Sequence, residues 1–309
     1  MDSRVLQRAV DALRRLGEDP GEVLGAGVEG AVLALGPDRV AKIWTGRSAD
    51  EVERLQEFTA SLDAASVRLA TPRILAVIDD DGLLLTIERR LQGRPLRVEG
   101  ADPTPVRDDE TAVLLDVLEA LAGAAVLPGL SALPVLPGER PFGLGRTFPA
   151  NLADLVAHRV ERSRDLLRRH VPDIDELTAR TVAGLGSLGQ RRVALVHGDL
   201  IPANVLVTGA RASAVLDFGF LTTLGDPAFD AAVTASVFDM YGPHARLSES
   251  LLDDAIQERF GVEAQARGLY RAAYALATAT CFSSSGSDGH FAWCLRMLAR
   301  DDVRDALEP

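Results

Sequence analysis

Residues 196–207, VHGDLIPANVLV, set His197, Asp199 and Asn204 inside a run that is otherwise apolar and strand-like. A strand of that composition is buried, and buried polar side chains need partners. The fold must therefore turn these three out into solvent or gather them with other polar groups. The first outcome is an ordinary turn between two strands. The second is a catalytic loop, and the rest of the chain decides between them.

The pattern changes character once along the chain. Residues 2–17 carry arginines throughout, with Val5, Ala9, Leu13 and Leu16 at helical period, which predicts an amphipathic helix rather than a signal peptide. The runs 23–35 and 39–44, joined by Gly36-Pro37-Asp38, predict a β-hairpin with a glycine-rich bend at its start. Residues 48–62 have a serine cap and helical period, and 73–78 and 83–88 form a second hairpin around Asp79-Asp80-Asp81-Gly82. Strands, one helix and two more strands describe a small antiparallel sheet with a helix packed on it. From about residue 97, proline-rich connections at 99–107 and 128–149 alternate with helical patterns at 109–127, 150–170 and 173–188. Then come the 196–207 stretch, VLDFG at 215–219, and a helical remainder. The expected fold is α+β.

Composition narrows the function. The 309 residues are 47% hydrophobic and 25% charged, enough for an ample core. A net charge of −12 argues against nucleic acid as a partner and leaves a cationic small molecule acceptable. Residues 120–138 are apolar, but Pro128, Pro134 and Pro137 break any membrane-spanning helix, so a helix end and a loop are expected there. Cys281 and Cys294 lack metal-ligand spacing and make no disulfide framework, which fits a reduced cytosolic, cytoplasmic setting and ordinary buried helix positions. Oligomeric state is not legible.

Of the 33 Lys plus Arg residues, Lys42 is the single lysine. A chain that uses arginine wherever positive charge suffices keeps a lysine where a compact, flexible point charge is needed. Gly25-Ala-Gly27-Val-Glu-Gly30-Ala-Val32 fits G-x-G-x-x-G-x-V, whose glycines let backbone close over a polyphosphate. The residues beyond Val32 are strand-like rather than helical, so this is a flap between strands and not a dinucleotide fingerprint. A glycine-rich hairpin without any ligand is the plain alternative. Lys42, twelve residues beyond Gly30, is placed to reach phosphate oxygens beneath that flap. On the next helix Glu51, Glu53 and Glu57 are candidates to pair with it; Glu57 is preferred for its place near Thr59 and Leu62, and Glu53 is the fallback. Asp199 and Asn204 lie five apart in a loop, and Asp217 ends the next short strand. A carboxylate and an amide oxygen suit Mg²⁺ that already binds phosphate, leaving Asp199 to accept a proton from a hydroxyl.

Glycine loop, strand lysine, helix glutamate, H-G-D-x-x-x-x-N and D-F-G stand in the order of the protein-kinase-like fold. His197-Gly198-Asp199, with Gly225-Asp226-Pro227-Ala228-Phe229-Asp230 after it, resembles the aminoglycoside phosphotransferase family over residues 23–230. The resemblance implies two lobes, an N-lobe at 1–92 and a C-lobe at 93–309, with ATP or GTP between them as γ-phosphoryl donor to a small-molecule hydroxyl. It makes Asp199 the catalytic aspartate, Asn204 and Asp217 the Mg²⁺ ligands, and Lys42 with Glu57 the phosphate clamp. Gly25, Gly27 and Gly30 would cover the nucleoside triphosphate, and backbone at Glu88, Arg89 and Leu91 would meet the purine. His197 and Asp230 would hold the catalytic loop.

Three rivals set the limits. Only eight residues separate Asp217 from Asp226 and there is no Ala-Pro-Glu beyond them, which leaves little room for a protein kinase's activation loop. A non-catalytic nucleotide-binding regulator would be expected to lack one of Lys42, Asp199, Asn204 and Asp217, all of which are present. The acceptor is expected among aminoglycosides, related antibiotics and amino sugars, with a kinase of another metabolite as the alternative. Tyr270, Tyr274, Phe291 and Trp293 stand at helical spacing and are expected in the core, while Asp239, Asp253, Asp254, Asp301, Asp302 and Glu308 are candidates to meet ammonium groups.

Overall fold

The computed structural model describes residues 3–27, 30–98 and 104–308. Val28 and Glu29 of the glycine motif, and part of the 99–107 connection, lie outside the described residues.

Helix α1 (Ser3–Arg15) precedes an antiparallel sheet built from β1 (Val23–Gly27), β2 (Gly30–Leu35), β3 (Arg39–Trp44), β4 (Ile74–Asp80) and β5 (Leu83–Arg89). The spatial order is β1-β2-β3-β5-β4. The 23–35 run divides at its glycines into two strands, because Gly30 takes φ +140 and a Cβ there would sit 1.7 Å from the Ile43 carbonyl oxygen. Strand alternation assigns the faces. Ala41 and Ile43 of β3, with Leu33, Leu85 and Ile87, pack on Ala9 and Leu13 of α1. Val40, Lys42 and Trp44 point the other way. On that side lies α2 (Ala49–Ala64), started by a Ser48–Glu51 capping box.

The chain then crosses to a mainly helical part through β6 (Arg94–Pro95), which pairs with β8 (Val205–Thr208), itself paired with β9 (Arg211–Val215). Around this small sheet stand α3 (Asp108–Ala122), α4 (Phe148–His170), α5 (Ile174–Ser187), α6 (Pro227–Val237), α7 (Ala245–Phe260), α8 (Ala264–Thr278), α9 (Gly289–Leu298) and α10 (Asp301–Asp305). A further pair joins β7 (Ala194–Val196) to β10 (Thr223–Gly225). Helix α3 stops at Ala122, short of the expected 127, because Gly123 caps it and the chain runs on to Pro128. Among the described residues no helix is long and apolar enough to cross a membrane.

The α+β, two-lobed architecture expected from the sequence is the one observed. A bridge ties the segment between α2 and β4 to the second sheet, which the residue after β6 extends. Ala70, beyond α2, bridges Ala214 of β9, its N–H donating to Ser213 O at 3.1 Å and its carbonyl accepting from Val215 N–H at 3.0 Å. Leu96 N–H also donates to Val205 O at 2.8 Å. Tyr270, Tyr274, Phe291 and Trp293 are buried in the helical core. Cys294 is buried in α9, whereas Cys281 lies past the end of α8 and is half-buried; both are free thiols.

Candidate active site

The two parts enclose a cleft of about 780 Å³. Its upper wall carries Gly25, Gly27, Gly30, Val32, Val40 and Lys42, its lower wall Asp199, Asn204, Leu206, Leu216 and Asp217, and its back Glu88, Arg89 and Leu91. The three polar residues of the 196–207 stretch are thus not a solvated turn. His197 and Asn204 are buried and Asp199 is half-buried.

The loop 197–204 is held by an interlocking set of hydrogen bonds. The His197 ring is completely enclosed, and its Nε2 lies 2.7 Å from the Leu216 carbonyl, which can only accept. Its Nδ1 accepts the Asp199 N–H at 3.2 Å. These two bonds select the neutral Nε2–H tautomer, and burial pushes the imidazole pKa down to about 4. The ring therefore ties the backbone of Asp199 to the residue preceding Asp217. It also packs on Phe218, with centroids 4.4 Å apart. Asp230, on α6, accepts the His197 N–H at 2.7 Å and the Gly198 N–H at 2.8 Å with its two carboxylate oxygens. Burial raises its pKa to about 7, while these two amides pull the other way.

Thr222 closes the set. Its hydroxyl donates to His197 O at 2.7 Å and accepts the Gly219 N–H at 2.8 Å. Asn204 Nδ2 donates to the Asp199 carbonyl at 2.9 Å, which leaves the amide Oδ1 as the acceptor end of that side chain. Asp217 sits at φ +54, a left-handed conformation that a short polar side chain tolerates best. Asp199 has its pKa pushed up to about 6, first by burial and then by the charge of Asp217.

Two carboxylates that repel one another and an amide oxygen in one cleft form an all-oxygen donor set. That set fits a divalent cation of the magnesium class carrying phosphate oxygens. Among the described residues no group of three or more His, Cys, Asp and Glu forms a metal cage of its own.

The expected partner of Lys42 is not where the sequence put it. Glu57 is exposed on α2 and absent from the cleft, and Glu53 is exposed too; Leu55 and Thr59 occupy the cleft-facing positions. A helix turns about 100° per residue, so Glu57, two before the buried Thr59, points about 200° away from it. Instead the Lys42 ammonium lies over the Trp44 ring, 3.8 Å from its centroid. Trp44 Nε1 donates to Thr86 Oγ1 at 3.0 Å, and the Thr86 hydroxyl donates in turn to the Glu88 carboxylate. Thr86 stands directly across from Lys42 in the β3–β5 register. Trp44 was overlooked, though its place two residues beyond Lys42 on a strand puts it on the same face. Thr222 left no local signal.

None of the six carboxylates considered for ammonium binding lines the cleft. Asp253 is taken by Arg271 at 2.6 Å, Asp302 by Arg300 at 2.6 Å and Glu308 by Arg180 at 3.3 Å. Asp239 accepts the His244 N–H at 3.0 Å.

Comparison with known proteins bears on the fold and the family. No curated protein matches the chain. Among solved structures, the chain is similar to a thermostable mutant of aminoglycoside phosphotransferase APH(4)-Ia in ternary complex with ADP and hygromycin B. The two share 18% identity over 95% of this chain and 97% of that one, with a TM-score of 0.70. It is also similar to APH(2")-IIia bound to GDP and kanamycin (18% identity, 97% and 99% covered, TM-score 0.63). ADP-bound APH(2'')-Ib matches at 15% identity, with 100% and 97% covered and a TM-score of 0.58. At such identities the likeness is one of fold. A profile of the phosphotransferase enzyme family matches residues 21–270, most of the chain. By that match, the chain belongs to the phosphotransferase enzyme family.

Proposed function

We propose that this protein transfers the γ-phosphoryl group of ATP or GTP to a hydroxyl of a small molecule, with residues 1–92 carrying the nucleotide and 93–309 the catalytic loop and acceptor. The observation that carries this reading is the convergence of Asp199, Asn204 and Asp217 with Lys42 and the glycine hairpin on one cleft.

Asn204 Oδ1 and the Asp217 carboxylate would hold Mg²⁺, which when bound neutralises charge on the phosphate oxygens. Lys42 would meet the same oxygens from above, and backbone between Glu88 and Leu91 would meet the base. Asp199 orients the acceptor hydroxyl and takes its proton. The hydroxyl oxygen bonds to the γ-phosphorus as the bond to the β,γ-bridging oxygen breaks, and the nucleoside diphosphate leaves with the electron pair. His197, locked neutral by its two hydrogen bonds, has no free lone pair for this chemistry and serves as a strut.

One observation favours a binding-only reading: the solvent-facing Glu57 leaves the cleft without the expected helix carboxylate. A phosphate-transfer screen with ATP and GTP against aminoglycosides, macrolides and amino sugars, run on wild type and Asp199→Asn, separates the two. Catalysis requires the variant to keep nucleotide affinity while transfer falls about 10²–10⁴-fold. Nucleotide binding without turnover in wild type supports the regulator, and equal loss of binding and transfer in the variant makes Asp199 structural.

A further inference from the structure

Beside Asp199 the cleft is bounded by an aromatic wall. Phe220, three residues past Asp217, lines the cleft with both aspartates. Phe282, in the loop between α8 and α9, stacks on it nearly parallel, with centroids 5.9 Å apart and planes 11° apart. Behind them the wall is anchored. Phe220 meets the buried Tyr274 edge-on at 6.4 Å, and Phe282 meets His290 edge-on at 5.0 Å. His290 in turn stacks on Trp293 at 5.8 Å. Yet Phe282 is 67% exposed. A phenyl ring stacked on a cleft-lining ring and itself mostly exposed presents a ready platform for a second ring.

The polar surroundings match a neutral ligand. Next to Phe282 the hydroxyls of Ser283, Ser285 and Ser287 bond one another at 3.0–3.1 Å on the surface, a patch of donors and acceptors without charge. None of the six carboxylates considered for ammonium groups lines the cleft, and several carboxylates of the helical part are paired with arginines. Asp253 faces Arg271, Glu249 is held by Arg300 and Arg271, and Asp302 by Arg300. Beside the patch a single carboxylate oxygen, Asp288 Oδ2, is buried without a partner. A polycation entering here would be desolvated with that group and the two aspartates of the reaction to pair with, whereas one positive charge is answered by Asp288 alone.

We propose that the acceptor is a ring compound carrying at most one positive charge, which stacks an apolar face on Phe282 and presents a ring hydroxyl to Asp199. This rests on the phosphotransferase reading above and departs from the aminoglycosides bound by the structural relatives. The ring hydroxyl oxygen takes the γ-phosphoryl, its proton goes to Asp199, and the nucleoside diphosphate departs with the electron pair of the broken bond.

The test uses the full chain with Mg²⁺ and ATP, a neutral aryl glycoside as one probe and kanamycin as the other, with the phosphorylated product detected by mass. The expected result is a preference for the aryl glycoside of about tenfold or more in kcat/KM. Its KM should stay level between about 0.05 and 0.5 M salt, where a charge-driven KM would climb. Phe282→Ser should lower kcat/KM for the glycoside about tenfold, mostly through KM, and Phe282→Trp should restore it. Preference for kanamycin, indifference to Phe282→Ser, or phosphate passing only to water overturns the inference while leaving the phosphotransferase reading intact. Failure to move phosphate to any acceptor, water included, defeats that reading and this inference with it.

Discussion

The ammonium of Lys42 lies 3.8 Å from the centroid of the Trp44 indole, on the cleft face of the same strand. The indole is fixed in its turn by Thr86, completely buried, and through it by Glu88. A side chain with four rotatable bonds is thereby aimed without the helix carboxylate that the sequence suggested.

A cation over an indole gains about 0.5–2 kcal/mol, more as water is excluded. Trp44→Leu, which keeps bulk and loses the ring, should raise the nucleotide KM about 2–30-fold. Trp44→Phe should recover most of that loss, although it also drops the bond to Thr86. Lys42→Arg should impair turnover despite its kept charge, because the planar guanidinium neither sits over the ring in the same way nor delivers a point charge. Steady-state kinetics at varied nucleotide concentration reads all three, and wild-type rates in Lys42→Arg would count against a phosphate role for Lys42.

Gly198 adopts φ +85, and a Cβ there would stand 2.3 Å from the Phe220 carbonyl oxygen and 2.7 Å from Leu221. Backbone cannot yield as a flexible side chain does, so Gly198→Ala must push the HGD turn away from the segment after Asp217. The expected cost is about 1–3 kcal/mol of stability and a loss of transfer exceeding tenfold, roughly what misplacing a reacting group entails. Gly186→Ala in α5, with nothing within 4 Å, is the control and should be neutral or stabilising by about 0.5–1 kcal/mol. Urea unfolding alongside turnover checks the pair.

Buried neutral, His197 makes stability depend on pH with a definite sign. Its pKa is about 4 in the folded chain against 6.5 ordinarily, so below pH 6.5 the unfolded chain binds the proton that the fold refuses. The contribution is whole above 6.5, shrinks as pH falls, and is lost through pH 4. A shift of this size corresponds to about 3 kcal/mol. His290 is shifted the same way by burial and adds to the slope. Unfolding free energies between pH 7 and 4.5 should therefore fall more steeply for wild type than for His197→Gln. Parallel curves would mean that position 197 takes no part in the acid sensitivity.

Most of the fold and much of the candidate site were legible because their signals are local in sequence. Hairpin lengths, the Ser48 cap and the five-residue spacing of Asp199 and Asn204 are each set within a few residues. Glu57 was misjudged for a geometric reason already contained in the sequence: its phase relative to Thr59 and Leu62 places it on the outer face. Other features were out of reach. Thr222 joins His197 across 25 residues, Arg300 reaches Glu249 across 51, and Phe282 finds Phe220 only through the packing of α8 and α9. A free carboxylate and one neutralised by a distant arginine look identical in sequence. The charge actually offered to a ligand emerges only in three dimensions.

Asp199 should report the arrival of a metal through its proton. Its pKa is held at about 6 by burial and then by the negative charge of Asp217, so the cation-free protein at pH 6 keeps a proton on a substantial share of Asp199 carboxyls. A divalent cation arriving with the nucleotide at Asn204 and Asp217 would cancel the Asp217 charge and add its own, which lowers the Asp199 pKa and expels that proton. Binding of Mg²⁺-nucleotide near pH 6 should therefore release a fraction of a proton per site, falling toward zero by about pH 8, where Asp199 is already ionised. Calorimetry in two buffers of different ionisation enthalpy measures this directly. In Asp199→Asn the release at pH 6 should largely vanish while binding persists. Proton uptake on binding, or release undiminished in the variant, would show that Asp199 is not the group that answers the metal, and the assignment of the proton acceptor would have to move.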